Sequence, residues 1–125
     1  MKRKVLVCGA RDWNNKDLIL QRLSKLGSDV VIIEGECRGA DKTARNVANE
    51  LGLEVDPHPA DWDAYKKAAG PIRNREMLNL NPELVIVFHN DIHKSSGTKD
   101  CIKAAYKLGI PIELISEHKI WRIKK

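Results

Sequence analysis

Short continuous apolar runs alternate along this chain with stretches whose apolar residues recur every three or four positions. Lys4–Cys8, Val30–Ile33 and Leu84–Phe88 are nearly unbroken apolar runs. They are too short for helices and show no polar alternation, which predicts strands buried on both faces. Leu53–His58, closed by Pro57 and Pro59, and Pro111–Ile115 predict two more strands, and Lys119–Ile123 adds a sixth at an edge. Between them, Asn15–Leu26 carries Leu18, Ile19, Leu23 and Leu26 at helical spacing and stops at Gly27. Ala40–Leu51 places Ala44, Val47, Ala48 and Leu51 on one face before Gly52. Ile72–Leu80 aligns Ile72, Arg73, Met77 and Leu80 ahead of Pro82, and Ser96–Leu108 is closed by Gly109. Asp61–Ala69 predicts a short helix, punctuated by Gly70-Pro71.

Strands alternating with helices predict an α/β fold whose mainly parallel sheet is covered on both faces through right-handed crossovers. The expected strand order is 3-2-1-4-5, with the sixth strand outside it. In such a sheet ligands bind beyond the carboxyl ends of the strands, where strand order reverses. The turns after the first and fourth strands flank that point.

The chain has 125 residues, which fits one domain spanning 1–125, with no repeat or linker to divide it. No apolar run approaches the length of a membrane span, and the apolar stretch behind Met-Lys-Arg-Lys is too short for a signal peptide. A cytoplasmic protein is expected. The formal net charge of +5 suggests nucleic acid, but the charge is spread out apart from Lys119, Arg122, Lys124 and Lys125, which argues against such a partner. Cys8, Cys37 and Cys101 show no paired spacing, so reduced, mostly buried thiols are expected rather than disulfides or a zinc site. His58, His89, His93 and His118 likewise lack metal-ligand spacing, and neither a metal nor a cofactor is expected.

Three glycine-containing turns stand where an apolar run gives way to a helical pattern. They are Gly9-Ala10-Arg11-Asp12-Trp13, Gly35-Glu36-Cys37-Arg38-Gly39-Ala40-Asp41 and Lys94-Ser95-Ser96-Gly97-Thr98. A strand feeding a helix through such a turn leaves backbone N–H groups and the positive helix end aimed at one spot, a place for an anion such as phosphate. The spacing of a dinucleotide fingerprint and that of a P-loop are both absent. Arg11 and Trp13 offer a guanidinium and an aromatic face beside the first turn, where Asp12 serves equally as a helix cap. Asp41 either complements a helix dipole or accepts hydrogen bonds from ribose hydroxyls. Arg73, beside Asn74, shares a stripe with apolar residues. A buried arginine needs an anionic partner, either a ligand phosphate or an internal carboxylate such as Asp61 or Asp41. Ser95 and Ser96 suit helix capping, and Gly97 suits close approach of a phosphate.

On these residues the chain resembles the SLOG superfamily, in particular its small YspA-like branch. The resemblance runs from about Val5 to Ile115 and rests on Gly9-Ala10-Arg11-Asp12-Trp13, Arg38-Gly39-Ala40-Asp41, Pro59-Ala60-Asp61-Trp62, Ala69-Gly70-Pro71-Ile72-Arg73-Asn74 and Ser96-Gly97-Thr98. It implies a Rossmann-like three-layer domain that binds a nucleotide or nucleotide-derived ligand, such as an ADP-ribose-like molecule. The related LOG-type phosphoribohydrolases cleave the N-glycosidic bond of nucleoside monophosphates. Arg73 and Met77 match their Arg-x-x-x-Met, and Gly97-Thr98 the centre of their Pro-Gly-Gly-x-Gly-Thr-x-x-Glu. The glutamate of that motif falls on Cys101, with Asp100 one residue early, and His89-Asn90-Asp91 stands where a Pro-Gly-Gly-like turn is expected. The phosphate pocket therefore carries over better than the catalysis.

The expected function is binding or sensing of a nucleotide or nucleotide-derived ligand at the carboxyl end of the sheet. Gly9, Gly39, Ser96, Gly97 and Thr98 would hold phosphate through backbone N–H groups, with Arg73 neutralising it and Arg11 and Asn74 alongside. Asp12 or Asp41 would orient ribose, and Trp13 or Trp62 would pack against a base. The alternatives are glycosidic-bond hydrolysis, with Asp41, Asp100 and Arg73 as catalytic candidates, and ligand sequestration without chemistry. A homo-oligomer is expected from the apolar Ile72–Leu80 segment, which looks larger than one small core can cover.

Overall fold

The computed structural model of the protein describes residues 2–125. Six strands form one sheet in the order β3-β2-β1-β4-β5-β6. They are β1 (Arg3–Gly9), β2 (Val30–Glu34), β3 (Glu54–Pro57), β4 (Leu84–Phe88), β5 (Ile112–Ile115) and β6 (Ile120–Ile123). The first five are parallel, and β6 runs antiparallel against β5, with Ile115 opposite Ile120. Strand β1 lies between β2 and β4, pairing Leu6 with Ile33 on one side and with Val85 on the other. This is the expected order, with the sixth strand at the edge.

Each central strand is buried on both faces, which is why its sequence is a run and not an alternation. Val5, Val7 and Ile32 pack under α1 (Lys16–Ser24) and α2 (Ala40–Glu50) with Ile19, Leu23 and Val47. Leu6, Ile33, Val85 and Val87 pack on the other face with Met77 and Leu78 of α4 (Ala69–Leu78) and Cys101 and Ala105 of α5 (Ser96–Lys107). The result is a helix–sheet–helix sandwich.

Two local expectations need correction. Gly70-Pro71 does not interrupt the chain but lies inside the first turn of α4. Proline is tolerated there because a first-turn residue has no carbonyl within the helix to bond. The short helix before it is α3 (Trp62–Tyr65), followed by a 3₁₀ turn over Lys66–Ala68. Asp12 is not the cap of α1; Asn15 takes that role, its Oδ1 accepting from the Leu18 amide at 3.2 Å.

The apolar side of Ile72–Leu80 is covered within the chain, since Met77 and Leu78 are buried and Ile72 and Leu80 half-buried. It therefore offers no reason for an oligomer. The large apolar side chains left exposed are Trp62, Tyr65, Tyr106, Leu108, Ile120 and Trp121. No helix among the described residues is long and apolar enough to cross a membrane.

Candidate functional site

A crevice of about 600 Å³ opens beyond the carboxyl ends of β1 and β4. Five segments build it: the turn Gly9–Asn14 after β1, the loop around Cys37 and Arg38 after β2, the β4–α5 loop from His89 to Ser95, the start of α5, and one side of α4. Gly39 joins the first two. Its φ is +81°, and a Cβ there would lie 2.6 Å from the Arg11 backbone carbon, with the carbonyl oxygens of Ala10 and Arg11 closer still. Only glycine allows this crossing, which the Ala40 amide ties down by donating to the Ala10 carbonyl at 3.0 Å. On the rim, Glu117 accepts from Asn90 Nδ2 at 2.8 Å and Asn15 Nδ2 at 3.2 Å, linking the loops after β1, β4 and β5.

Arg73 enters from α4 and is only 9% exposed. Its Nη1 donates to the Gly35 carbonyl at 2.7 Å and to Cys37 Sγ at 3.7 Å, and its Nε donates to Asn74 Oδ1 at 3.1 Å. Among the described residues Arg73 forms no ion pair within 4.0 Å, and its Nη2 makes no hydrogen bond. The two internal partners weighed from sequence do not serve. Asp61 is exposed and caps α3, accepting from the Ala64 amide at 3.1 Å. Asp41 instead accepts from the Gly35 and Cys37 amides at 3.1 and 3.4 Å. Burial pushes the Asp41 carboxyl up to about 6, against the downward pull of the Arg73 charge and those amides. A half-satisfied guanidinium thus stands beside a buried carboxyl raised towards neutral pH.

Arg11, Arg38 and Lys94 add three further cations to the crevice, and among the described residues none of them is ion-paired. At the start of α5, Ser95 caps the helix: its Oγ accepts from the Thr98 amide at 3.3 Å and donates to Thr98 Oγ1 at 2.9 Å. The amides of Ser96 and Gly97, in that first turn, have no partner among the described residues. Free N–H groups, a positive helix end and four arginine or lysine side chains make this crevice suited to an anion.

Of the residues singled out from sequence, Gly9, Arg11, Asp12, Trp13, Asp41, Arg73, Asn74, Ser96, Gly97 and Thr98 all line this crevice, and Gly39 shapes its wall. Asp100 does not. It is held by Arg75 at 2.8 and 3.1 Å and by Asn74 Nδ2 at 3.1 Å, contacts that keep its carboxyl below the usual range. An acid so clamped is a brace between α4 and α5. Trp13 reaches the crevice only as a 5% exposed core residue, tilted against Phe88 with centroids 5.6 Å apart. Its indole N–H is taken by the Asn15 carbonyl at 2.9 Å. Trp62 lies outside the crevice, in an adjoining hollow.

Sequence reasoning missed three features. Cys8, Cys37 and Cys101 all line the crevice. The neighbouring Cys101 thiol and burial hold Cys8 well above the ordinary thiol value, so it is an inert floor and not a nucleophile. His89 is 8% exposed, and its Nδ1 accepts from the Asp91 amide at 2.9 Å. Burial lowers its basicity against the pull of Asp12 and Asp91, so the neutral ring carries its proton on Nε2 as a donor. Glu34 ends β2 fully buried, with Oε2 unpaired. Its only advance signal was a charged residue closing an otherwise apolar strand. Among the described residues, no group of three or more His, Cys, Asp or Glu is placed to hold a metal ion.

Three comparisons bear on this arrangement. DNA processing protein A (DprA) from Streptococcus pneumoniae has a similar fold, with a TM-score of 0.75 at 21% identity over 90% of this chain. The chain spans about half the length of that structure, 50% of it. The Gene 61 protein of Mycobacterium phage D29 is 34% identical over 119 residues, covering 88% of this chain and 94% of the phage protein. The model of the YspA, cpYpsA-related SLOG family matches residues 3–65, a stretch that includes the first two glycine turns. The chain belongs to that SLOG family, and its single six-stranded α/β domain is Rossmann-like.

Proposed function

We propose that this protein binds or senses a nucleotide or nucleotide-derived ligand, of the nucleoside phosphate or ADP-ribose-like kind, in the crevice at the carboxyl end of the sheet. One observation carries the reading: Arg73 is buried in the crevice wall with no carboxylate within ion-pair distance among the described residues, beside free cations and unpaired α5 amides. Burying a guanidinium is costly unless an anion completes it, and a ligand phosphate does so with two parallel hydrogen bonds. Calorimetric titration of the intact chain with AMP, ADP and ADP-ribose tests this. Saturable binding that is lost in Arg73→Ala supports it, and no binding of any of the three overturns it.

The glycosidase alternative rests on Asp41, because Asp100 is committed elsewhere. Asp41 has a carboxyl at about 6, within range for proton transfer near neutral pH. Release of free base from AMP on incubation with the protein would establish turnover, whereas recovery of intact ligand favours sensing or sequestration.

The likeness to DNA processing protein A supports a second reading, in which the phosphates belong to a DNA strand. Arg11, Arg38 and Lys94 at the crevice mouth suit either source. A homo-oligomer is also proposed, now on the open edge of β6, where Ile120 and Trp121 are exposed. Sedimentation at micromolar concentration tests it, and a monomer there overturns it.

A further inference from the structure

Beside the crevice, against the β2–α2 loop, lies a second hollow of about 510 Å³. Trp62, Pro59 and Ala60 form its apolar wall, and Arg11 and Arg38 belong to both spaces. We infer that this hollow is the base-binding subsite, so that the protein takes a free nucleoside 5′-polyphosphate with its base on Trp62 and its phosphates passing Arg11 and Arg38 into the crevice. The inference rests on the phosphate reading above and adds the ligand's direction.

Four observations support it. Trp62 is 45% exposed, an unusual state for so large an apolar surface at a cavity wall. It is also positioned: the Asp61 cap fixes the start of its helix, and its Cη2 packs where a Cβ on Gly70 would be 3.4 Å away. The hollow has a single carboxylate, Glu36, which Arg45 Nη1 neutralises at 2.8 Å, leaving Arg11 and Arg38 unopposed. Finally, the crevice itself has no free aromatic face among the described residues, because Trp13 is packed against Phe88. An exposed indole next to two arginines is a stacking platform for a base that precedes a phosphate chain.

The test compares ADP with inorganic pyrophosphate, which has the phosphates and no base, by titration calorimetry on the intact protein. Stacking on an aromatic face tolerates any base, so ADP serves as the probe whatever the natural one. The expected result is that ADP binds on the order of tenfold or more tighter than pyrophosphate. Trp62→Ala should remove that advantage while leaving pyrophosphate affinity unchanged, and Trp62→Phe should restore most of it. Equal ADP affinity in Trp62→Ala and the parent overturns the inference while leaving the phosphate site standing. Absence of binding by both probes overturns the phosphate reading and the inference with it. An oligothymidylate that binds more tightly than ADP, and loses that affinity in Trp62→Ala, assigns the same surface to a DNA strand and overturns the free-nucleotide assignment.

Discussion

The carbonyl oxygen of Gly35 accepts the 2.7 Å hydrogen bond that holds Arg73 Nη1, and a side chain on Gly35 would have to occupy the space of that same nitrogen. A Cβ there would lie 2.5 Å from Nη1, 2.8 Å from Cζ and 2.9 Å from Asp41 Oδ2. The glycine just after β2 therefore seats the guanidinium and the buried carboxyl side by side. Loop, helix and strand meet at this one atom-sized gap.

Gly35→Ala should accordingly harm the site more than the fold. The obstructing atoms are the ends of side chains, so the added methyl displaces Arg73 and not the backbone. Ligand affinity should fall about tenfold or more, with a stability loss of about 1–3 kcal/mol, typical of overpacking. Gly39→Ala should do the reverse, because there the obstruction is backbone and φ is +81°. Its loss of stability should come first, at about 1–3 kcal/mol for the strained conformation before any clash is counted. Denaturant melts and calorimetry of both variants check the contrast.

Arg73→Ala should weaken phosphate-ligand binding by about 2–5 kcal/mol, the usual cost of removing one partner from a buried charge pair. Arg73→Lys should recover only part, since an ammonium cannot form the planar two-pronged contact. Added salt should weaken binding less steeply than at an exposed patch, because the guanidinium is sheltered. A lowered melting temperature with unchanged affinity would make Arg73 a scaffold residue.

Much of this was readable in advance because the signals are local. Continuous apolar runs fix the buried strands, and glycine turns after them mark the crevice that Gly9, Arg73 and Thr98 line and whose wall Gly39 shapes. What failed depends on packing between distant segments. Nothing near Asp100 in the chain reveals that Arg75 and Asn74 close on it from α4. Trp13 and Trp62 look alike in sequence, but only one meets Phe88 in the core. Glu34 stands just past the apolar run Val30–Ile33, and nothing in that run shows that its carboxyl is fully buried.

Glu34→Gln should stabilise the protein in alkaline solution. Burial pushes the Glu34 carboxyl up to about 8, aided by the neighbouring Glu36 carboxylate and by Asp41. A folded value above the unfolded one means the native state binds the extra proton, so stability falls as pH rises from about 4.5 towards 8. The slope approaches about 1.4 kcal/mol per pH unit for one proton. Glu36, held low by Glu34 and Arg45, contributes in the opposite sense, and its effect is complete above its unfolded value. Glutamine keeps the acceptor for the Glu36 amide, 2.8 Å from Oε1, and cannot ionise. Melting curves between pH 5 and 9 should therefore flatten in the variant. An unchanged pH profile would mean that Glu34 ionises freely in the native protein.

Ligand binding should also draw a proton onto Asp41. Its carboxyl stands at about 6 because burial outweighs the pull of Arg73 and the Gly35 and Cys37 amides. A phosphate paired with Arg73 cancels the arginine's pull and adds a negative charge nearby, so the Asp41 value must rise further. At pH 6.5 a group moved from about 6 to higher values takes up a fraction of a proton, and affinity through this group increases as pH falls. Calorimetry of ADP in buffers of different ionisation heat measures the uptake directly. Asp41→Asn should remove it, leaving only the titration of ADP itself, with the two amide hydrogen bonds supported by the side-chain carbonyl. If the parent and the variant exchange the same number of protons, the phosphate does not sit beside Arg73. If the parent instead releases free base from AMP and Asp41→Asn does not, the same carboxyl is an acid catalyst, and the crevice belongs to an enzyme.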